Sequence, residues 1–387
     1  MKHRKHTLIA SSLFIVSLAI FFLTSGGNTP YDYFSRLAHA FLNQKYWLEN
    51  PPPWLNELVP GPLGRFFTVY PPMPAILLMP FTLLFGTGFQ QQFLSHILGA
   101  GIVTLAYTLT YKITAKTSLA LYLAILTGFG TIIWFLASNG SAWYLGQISA
   151  AFFIFAALVE THSKRRPFFA GLFLASAYLS RLQTILLLPL FIALLSPKLK
   201  RPHALILFLL PIVSFIILNA AYNFLRFSTF WDKAYILIPG VLEEPWYSRG
   251  LFHPFYIPRH LKTLFLSYPK IITGFPYLIP SWGGLSIWIT TPVFIYLYKA
   301  SLKNRFVLIS WLSILLISIP ILTHGTTGFA QFGYRFAVDF YPILIFLLAK
   351  GLSASRLRWH HLLLLVLSIL VNLWGVLWIN KFGWVGY

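Results

Sequence analysis

Four polar residues near the N-terminus are spaced so that they can act together. Asp32, Arg36, His39 and Asn43 recur in the segment TPYDYFSRLAHAFLN at intervals of four, three and four residues. A helix of about 3.6 residues per turn places such positions on one face. A carboxylate on that face could accept a proton from a substrate hydroxyl. Asp32 is therefore a candidate general base.

A purely structural interpretation of the same residues competes with this one. Thr29 and Pro30 are typical of a helix start, and an acid in the first turn stabilises the helix dipole by about 0.3–1 kcal/mol. Asp32 and Arg36 would also form an i,i+4 ion pair. The apolar residues of the segment fall on the opposite face, so the sequence predicts an amphipathic helix lying flat in a membrane interface.

The composition indicates an integral membrane protein. Of 387 residues, 57% are hydrophobic and only 10% are charged, which is too few charges to cover a soluble surface. Aromatic residues reach 18%, as expected of interfacial belts. The net charge of +21 is attributed to membrane topology rather than to nucleic acid. The absence of cysteine excludes disulfides, thiol chemistry and cysteine-based metal sites.

Eleven apolar runs are candidate membrane spans. They fall near 7–24, 92–111, 118–137, 143–160, 168–180, 184–196, 203–225, 281–298, 306–323, 337–349 and 360–380. A further run at 71–86 is short and carries four prolines, so it is predicted to be a surface or re-entrant helix.

The basic residues set the predicted orientation. If 71–86 does not span, the Lys and Arg clusters between the spans fall on one side, which the positive-inside rule makes cytoplasmic. The N-terminus is then a cytoplasmic, uncleaved signal anchor. The extracytoplasmic loops are 25–90, 227–280 and the shorter 323–336. The chain, 1–387, is predicted to be one transmembrane domain.

Several stretches resemble the C-type (GT-C) glycosyltransferases, which include the protein O-mannosyltransferases and the aminoarabinose transferases of lipid A. They are YDYFSRLAHAFL, PPPWLNELVP, FTVYPPMPAILLMPF and FGYRFAVDFYP. The resemblance covers most of the chain in architecture and is specific in the first loop and around 331–342. It implies an all-α polytopic protein of the inner (plasma) membrane, with amphipathic surface helices in its outer loops.

The resemblance also implies a reaction. Members of the family move a sugar from a polyprenyl-phosphate donor to a lipid, glycan or protein acceptor outside the membrane, here with inversion. Asp32 takes the position of the family's base. The phosphate needs positive charge around it, and the outer-side candidates for binding substrate are Arg36, Arg65, Tyr70, Arg181, Arg335 and Asp339.

Each of these candidates also has a structural interpretation. Arg65 and Arg181 could reach lipid headgroups, Arg335 could pair with Asp339 four residues later, and Tyr70 could be an interfacial aromatic.

The chain departs from the family at two places. The second outer loop, 137–149, contains no acid, and Val69-Tyr70 stands where relatives have Glu-Lys before the double proline. The sequence therefore does not decide whether the site binds a divalent metal.

A transporter or flippase of lipid-linked precursors is the alternative function, and a membrane scaffold with decayed sites is a third. The absence of repeated halves favours an enzyme over a transporter.

Overall fold

The chain folds into packed helices joined by short strands and irregular loops. The computed structural model describes residues 2–386. Its helices are α1 (Lys2–Leu23), α2 (Tyr33–Leu42), α3 (Met73–Phe85), α4 (Gln91–Thr114), α5 (Thr117–Phe129), α6 (Ile133–Asn139), α7 (Ala142–His162), α8 (Pro167–Tyr178), α9 (Leu188–Leu199), α10 (Pro202–Phe227), α11 (Ile257–Leu266), α12 (Ile287–Thr290), α13 (Arg305–Thr323), α14 (Tyr341–Gly351) and α15 (Trp359–Leu377). Its strands are β1 (Leu48–Glu49), β2 (Leu58–Pro60), β3 (Arg65–Thr68), β4 (Lys270–Ile271), β5 (Leu278–Ile279), β6 (Gly283–Leu285) and β7 (Gln331–Gly333).

Six helical segments among the described residues are long and apolar enough to cross a membrane. They lie in α1, α4, α7, α10, α13 and α15. Helices α5 and α6 together make a seventh candidate, bent by 52° at the break between them. The protein is therefore a mostly helical, multi-pass membrane protein.

The remaining predicted spans are shorter or broken. Helix α8 has 12 residues and α14 has 11, which is less than the roughly 20 needed to cross the hydrocarbon core. The run at 281–298 is not one helix, because Gly283 and Gly284 form β6 and Pro292 begins a separate 3₁₀ segment. The count of eleven full spans stays a prediction.

The run at 71–86 forms the short helix that its prolines predict. Helix α3 has 13 residues, so it is only about 20 Å long, against a hydrocarbon core of about 30 Å. It packs beside α2, and its start is held by a hydrogen bond from Met73 N to Leu179 O of 3.0 Å. A surface or re-entrant helix fits these dimensions.

Loops that were predicted to share a side contact one another. Lys116 Nζ donates to Ser353 O at 2.5 Å, and Lys198 Nζ donates to Lys164 O at 3.3 Å. At the other end of the helices, Lys381 Nζ donates to Ser25 O at 2.5 Å. These three contacts join segments that the sequence predicts to lie on the same side.

The first surface helix is amphipathic but begins later than predicted. Helix α2 starts at Tyr33, and the Thr29 hydroxyl accepts a hydrogen bond from Tyr31 N at 3.2 Å instead of capping the helix. Asp32 occupies the N-cap position without bonding a backbone amide, because its carboxylate pairs with Arg36, at 2.8 Å from Nε to Oδ1. The face carrying Leu37 is buried, as predicted.

A buried amide fixes α2 to the helix bundle. Gln91 Oε1 accepts from Phe34 N at 3.1 Å, and its Nε2 donates to Tyr31 O at 3.1 Å and to Gly140 O at 2.8 Å. Gly140 has φ +65°, and a Cβ there would lie 2.5 Å from Gln92 Cα, so only glycine fits this turn. The start of α2 is thereby held beside the α6–α7 connection.

Two small sheets position the loop residues. Strands β1, β3 and β2 form an antiparallel sheet in that order, with Val59 opposite Phe67. Strands β6 and β7 pair in parallel, with Leu285 opposite Gly333. The first sheet sets the residue before β2, which is Glu57, and the second sets the segment after β7, which contains Arg335.

The predicted orientation can be measured with topology reporters. Fusions within 112–117 and 198–202 should report the cytoplasm, because these loops carry basic clusters. A matched fusion within 268–277 should report the opposite side. An outward signal from either basic loop would overturn the assignment of sides.

Candidate functional site

A cavity of about 520 Å³ opens where the loops predicted to be extracytoplasmic meet the ends of the helices. Its walls come from the first loop, the start of α7, the α8–α9 connection, residues 232–252 and residues 320–336. The charged and titratable side chains among its lining residues are Glu57, Tyr70, Arg181, Asp232, Lys233, Tyr235, His324 and Arg335. The cavity therefore combines acidic and basic groups drawn from distant parts of the sequence.

Glu57 presents a carboxylate whose two oxygens have different surroundings. Oε2 accepts hydrogen bonds from the Tyr70 hydroxyl and from Trp143 Nε1, the latter at 2.9 Å. Oε1 has no hydrogen-bond partner among residues 2–386. The Glu57 amide donates to the Tyr33 hydroxyl at 3.0 Å, which fixes the backbone. One oxygen is thus anchored while the other remains available to a ligand.

Burial changes the acidity of this carboxylate. Desolvation raises the pKa of Glu57, while the hydrogen bonds from Tyr70 and Trp143 lower it in part. The net shift is upward from the usual value for glutamate. A carboxylate of raised pKa is a better proton acceptor near neutral pH than an ordinary surface acid.

Arg335 is a buried cation without a carboxylate partner in the described part of the chain. Its side chain is largely enclosed, and its Nε donates to Gly328 O at 3.1 Å. Its two terminal nitrogens have no hydrogen-bond partner among residues 2–386. The main chain on both sides is fixed, because Arg335 N donates to Gln331 Oε1 and Arg335 O accepts from Gln147 Nε2, each at 2.8 Å. A guanidinium held this way is ready to receive an anion.

Arg181 lies close to Arg335, and it is Arg181, not Arg335, that pairs with Asp339. Its Nη2 is 3.1 Å from Asp339 Oδ2, and Gln183 Nε2 donates to the same oxygen at 2.6 Å. The predicted pairing of Arg335 with Asp339 is therefore not formed. Asp339 is fully buried behind the cavity wall, so the pair orients Arg181 from behind.

Both guanidiniums flank one aromatic ring. The Cζ atoms of Arg181 and Arg335 lie 5.5 and 4.9 Å from the centroid of Phe336. Two cations are thus held near each other, and Asp339 pairs with Arg181 alone. Arg335 is the guanidinium left without a carboxylate partner among the described residues.

The histidine of the cavity adds no further charge at neutral pH. Burial lowers the pKa of His324 to about 4, against a partly opposing hydrogen bond with Thr326 O. Its imidazole is therefore neutral at pH 7. The cations of the cavity are Arg181, Arg335 and the exposed Lys233, and its carboxylates are Glu57 and Asp232.

One side of the cavity is apolar. Its lining there includes Ile185, Leu186, Ile236, Pro320 and Ile321. Ile321 belongs to α13, one of the membrane-spanning candidates. The cavity is thus amphipathic, with charged groups and an aliphatic wall in the same space.

The predicted site residues divide into two groups. Tyr70, Arg181 and Arg335 line the cavity, and Asp339 supports Arg181 from behind. The other three, Asp32, Arg36 and Arg65, are not among the lining residues. Asp32 and Arg36 pair with each other, and the Arg65 guanidinium stacks 4.1 Å from the centroid of Trp47.

Sequence reasoning missed Glu57, Trp143, Gln183 and Lys233. A signal existed for Glu57, because it is one of three acids in the first loop and lies in a proline-rich segment beside a β-strand. Trp143 lies in the second outer loop, where an acid was expected and is absent. Its indole N–H instead bonds the carboxylate of the first loop.

Among residues 2–386, no group of three or more His, Asp or Glu side chains could hold a metal ion. Glu243 and Glu244, in the loop 227–280, line neither cavity, and Glu244 accepts from Trp246 Nε1 at 2.6 Å. Whether the protein depends on a divalent metal is therefore as undecided as it was from the sequence.

The chain matches no protein-family model and no curated protein. The site must therefore be interpreted from its own geometry.

The Arg181–Asp339 pair should contribute to stability as a coupled unit. Arg181→Gln leaves a buried carboxylate without its cation and should lower the free energy of unfolding, while Asp339→Asn in that background should restore part of the loss. We expect a coupling energy of about 1–3 kcal/mol from the double-mutant cycle, measured by denaturant unfolding in detergent. The cycle on the half-exposed Asp32–Arg36 pair is the control and should give a few tenths of a kcal/mol. Equal couplings would contradict the buried role.

Proposed function

We propose that this protein is a membrane glycosyltransferase that uses a polyprenyl-phosphate-linked sugar at the extracytoplasmic face of the plasma membrane. The observation that carries the proposal is the buried, carboxylate-free Arg335 beside Arg181, in a cavity that also holds Glu57 and an aliphatic wall. Each part of such a donor has a matching surface in that cavity.

The phosphate is matched by the two arginines. A buried guanidinium without a carboxylate partner is costly unless an anion neutralises it. Planar guanidiniums bind phosphate oxygens in pairs of hydrogen bonds, and the terminal nitrogens of Arg335 have no other partner in the described chain. Lys233 lies on the same lining and can add charge.

The lipid part of the donor is matched by the aliphatic wall. Ile185, Leu186 and Ile321 can contact an isoprenoid chain that remains at the membrane while its phosphate enters the cavity. A soluble nucleotide sugar would have no use for that wall. The amphipathic lining therefore favours a lipid-linked donor.

Glu57 is the carboxylate best placed to act as the base. In the proposed reaction, the acceptor hydroxyl oxygen forms a bond to the anomeric carbon of the sugar while the bond from that carbon to the phosphate oxygen breaks. The hydroxyl proton passes to Glu57, and the phosphate leaves with the bonding electrons. Arg181 and Arg335 stabilise the charge that develops on the phosphate, and attack from the opposite side inverts the anomeric configuration.

Asp32 then has a supporting role. It is tied to Arg36 at the start of α2, and α2 supplies Phe34 to the cavity lining. The catalytic role that the family resemblance assigns to Asp32 passes to Glu57 in this proposal.

A transporter of lipid-linked precursors is the second candidate. Such a protein would also need an anion site and an aliphatic wall. A transporter would not need a base such as Glu57, whose one carboxylate oxygen is held by two hydrogen-bond donors while the other remains open to a ligand. This feature favours the enzyme.

Two isosteric variants separate the possible bases. Glu57→Gln keeps the shape but cannot accept the proton, so sugar transfer should fall by about 10²–10⁴-fold. Asp32→Asn should reduce transfer by less than tenfold, because it alters an exposed pair. The measurement is the lipid and glycan profile of a deletion strain complemented with each variant, followed by transfer rates in its membranes. Full transfer by Glu57→Gln would sink the proposed mechanism, and a loss confined to Asp32→Asn would return the base to Asp32.

The hydrogen bond from Tyr70 predicts a shift in the pH profile. That bond lowers the pKa of Glu57, so Tyr70→Phe should raise the pKa further. Because the base must be deprotonated, the acid limb of kcat/KM should move to higher pH, with little change in the rate at the plateau. Tyr268→Phe, at an exposed tyrosine outside both cavities, is the control. An unmoved or lowered acid limb in Tyr70→Phe would contradict the role of Glu57.

A further inference from the structure

A second cavity of about 490 Å³ lies beside the first. Its walls come from the end of the first helix and the following loop, the α6–α7 connection, residues 329–330 and the last helical segment. These parts were all predicted to lie on the extracytoplasmic side. Trp143 belongs to the lining of both cavities.

The chemistry of this cavity is unlike that of the first. No Asp, Glu, Lys, Arg or His occurs among its lining residues, all of which lie within residues 2–386. A charged ligand group would lose hydration there without gaining an opposite charge. The occupant that fits this cavity is therefore uncharged.

The lining joins aromatic rings to hydrogen-bonding side chains. The rings come from Tyr31, Trp143, Tyr144, Trp282 and Phe329, and the polar side chains from Asn28, Thr29, Asn139, Ser141 and Asn380. Rings can cover apolar C–H faces, while amides and hydroxyls both donate and accept. A neutral sugar has this combination of C–H faces and hydroxyl groups.

Several of these polar groups have hydrogen-bonding capacity to spare. The side-chain oxygen of Asn28 accepts from Gln92 Nε2 at 2.9 Å, and that of Asn139 accepts from Ser141 N at 3.2 Å. Their Nδ2 groups have no partner among residues 2–386. They can donate to the hydroxyls of a ligand.

Trp143 connects the two cavities chemically. Its ring lies 4.6 Å from the ring of Tyr31, at an interplanar angle of 52°, on the second cavity, while its Nε1 donates to Glu57 Oε2, in the first. A sugar bound against Trp143 in the second cavity is thus separated by one indole from the carboxylate proposed to deprotonate it.

We infer that the second cavity binds an uncharged carbohydrate, which is the acceptor of the proposed transfer and presents its hydroxyl past Trp143 to Glu57. This inference rests on the proposed function for the role of acceptor. The binding of a neutral sugar rests on the cavity alone. The acceptor class is thereby narrowed from lipid, glycan or protein to a glycan.

Binding can be tested on the purified full-length protein in nanodiscs. The ligands are a panel of uncharged disaccharides, with glucosamine and glucuronic acid as charged counterparts, followed by saturation-transfer NMR. Uncharged sugars should bind and the charged ones should bind more weakly. Asn28→Trp places a large ring at an exposed position of the cavity and should weaken binding by about tenfold. Asn139→Ala, which removes one donor, should weaken it by a smaller factor.

Two controls keep the result interpretable. Leu63→Ala, at an exposed residue outside both cavities, should bind like the unaltered protein. Glu57→Gln should also bind sugar normally, because the amide oxygen of Gln can still accept from Trp143 Nε1 and so keep the shared ring in place. If Glu57→Gln loses transfer but Asn28→Trp binds sugar as the unaltered protein does, the carbohydrate site is wrong. The proposed function then still stands. The converse, full transfer in Glu57→Gln with impaired sugar binding in Asn28→Trp, would defeat the proposed function and retain the carbohydrate site. Absence of binding by every uncharged sugar would overturn the inference outright.

Discussion

The placement of the candidate site depends on satisfying backbone groups where the chain is not helical. Helices bond their own amides and carbonyls, but the turns at a membrane surface need other partners. Gln91 meets this need at three places, the amide of Phe34 and the carbonyls of Tyr31 and Gly140, from a position with no solvent exposure. Because these bonds hold the first loop against the start of α7, Glu57 and Trp143 can meet.

The two arginines of the cavity are held in place by different kinds of partner. Asp339 orients Arg181 from a buried position, whereas Arg335 is held by backbone bonds and by Gly328 O. The first arrangement neutralises a cation and the second does not. Together they leave one guanidinium, that of Arg335, without a carboxylate in a partly apolar space, where electrostatic interactions are stronger than in water. The proposed phosphate site rests on this asymmetry.

The sequence predicts the long helices well, the short and broken ones less well, and the site only in part. Long apolar runs such as α4, α7 and α10 have one possible interpretation in a membrane, and the prolines of 71–86 correctly indicate a short helix. The amphipathic face of α2 was also predicted. Its start was not, because the side chain of Asp32 turns to Arg36 rather than to the backbone. That choice depends on the energies of two local bonds, which residue patterns do not reveal.

The contents of the cavity were harder to foresee for a different reason. Arg181 and Asp339 are 158 residues apart, and Glu57 and Trp143 are separated by 86. Spacing arguments apply within one helix or strand, so they favoured Asp32 with Arg36 and Arg335 with Asp339. The structure instead pairs Asp339 with Arg181 and leaves Arg335 free for a ligand. Side-chain type marked the arginines as candidates, but only the packing of helices decides which charges meet.

The indole of Trp143 gives the two cavities a common wall, through which two bound ligands can be thermodynamically linked. Its ring contributes a wall to each, and its N–H sets part of the basicity of Glu57. A ligand that tilts the ring from one side changes both the shape of the other cavity and the strength of that bond. Linkage requires the effect to be reciprocal, so each ligand alters the affinity for its counterpart by the same factor. If two ligands both contact this ring, the binding of one would strengthen or weaken the binding of the other without any movement of the helices.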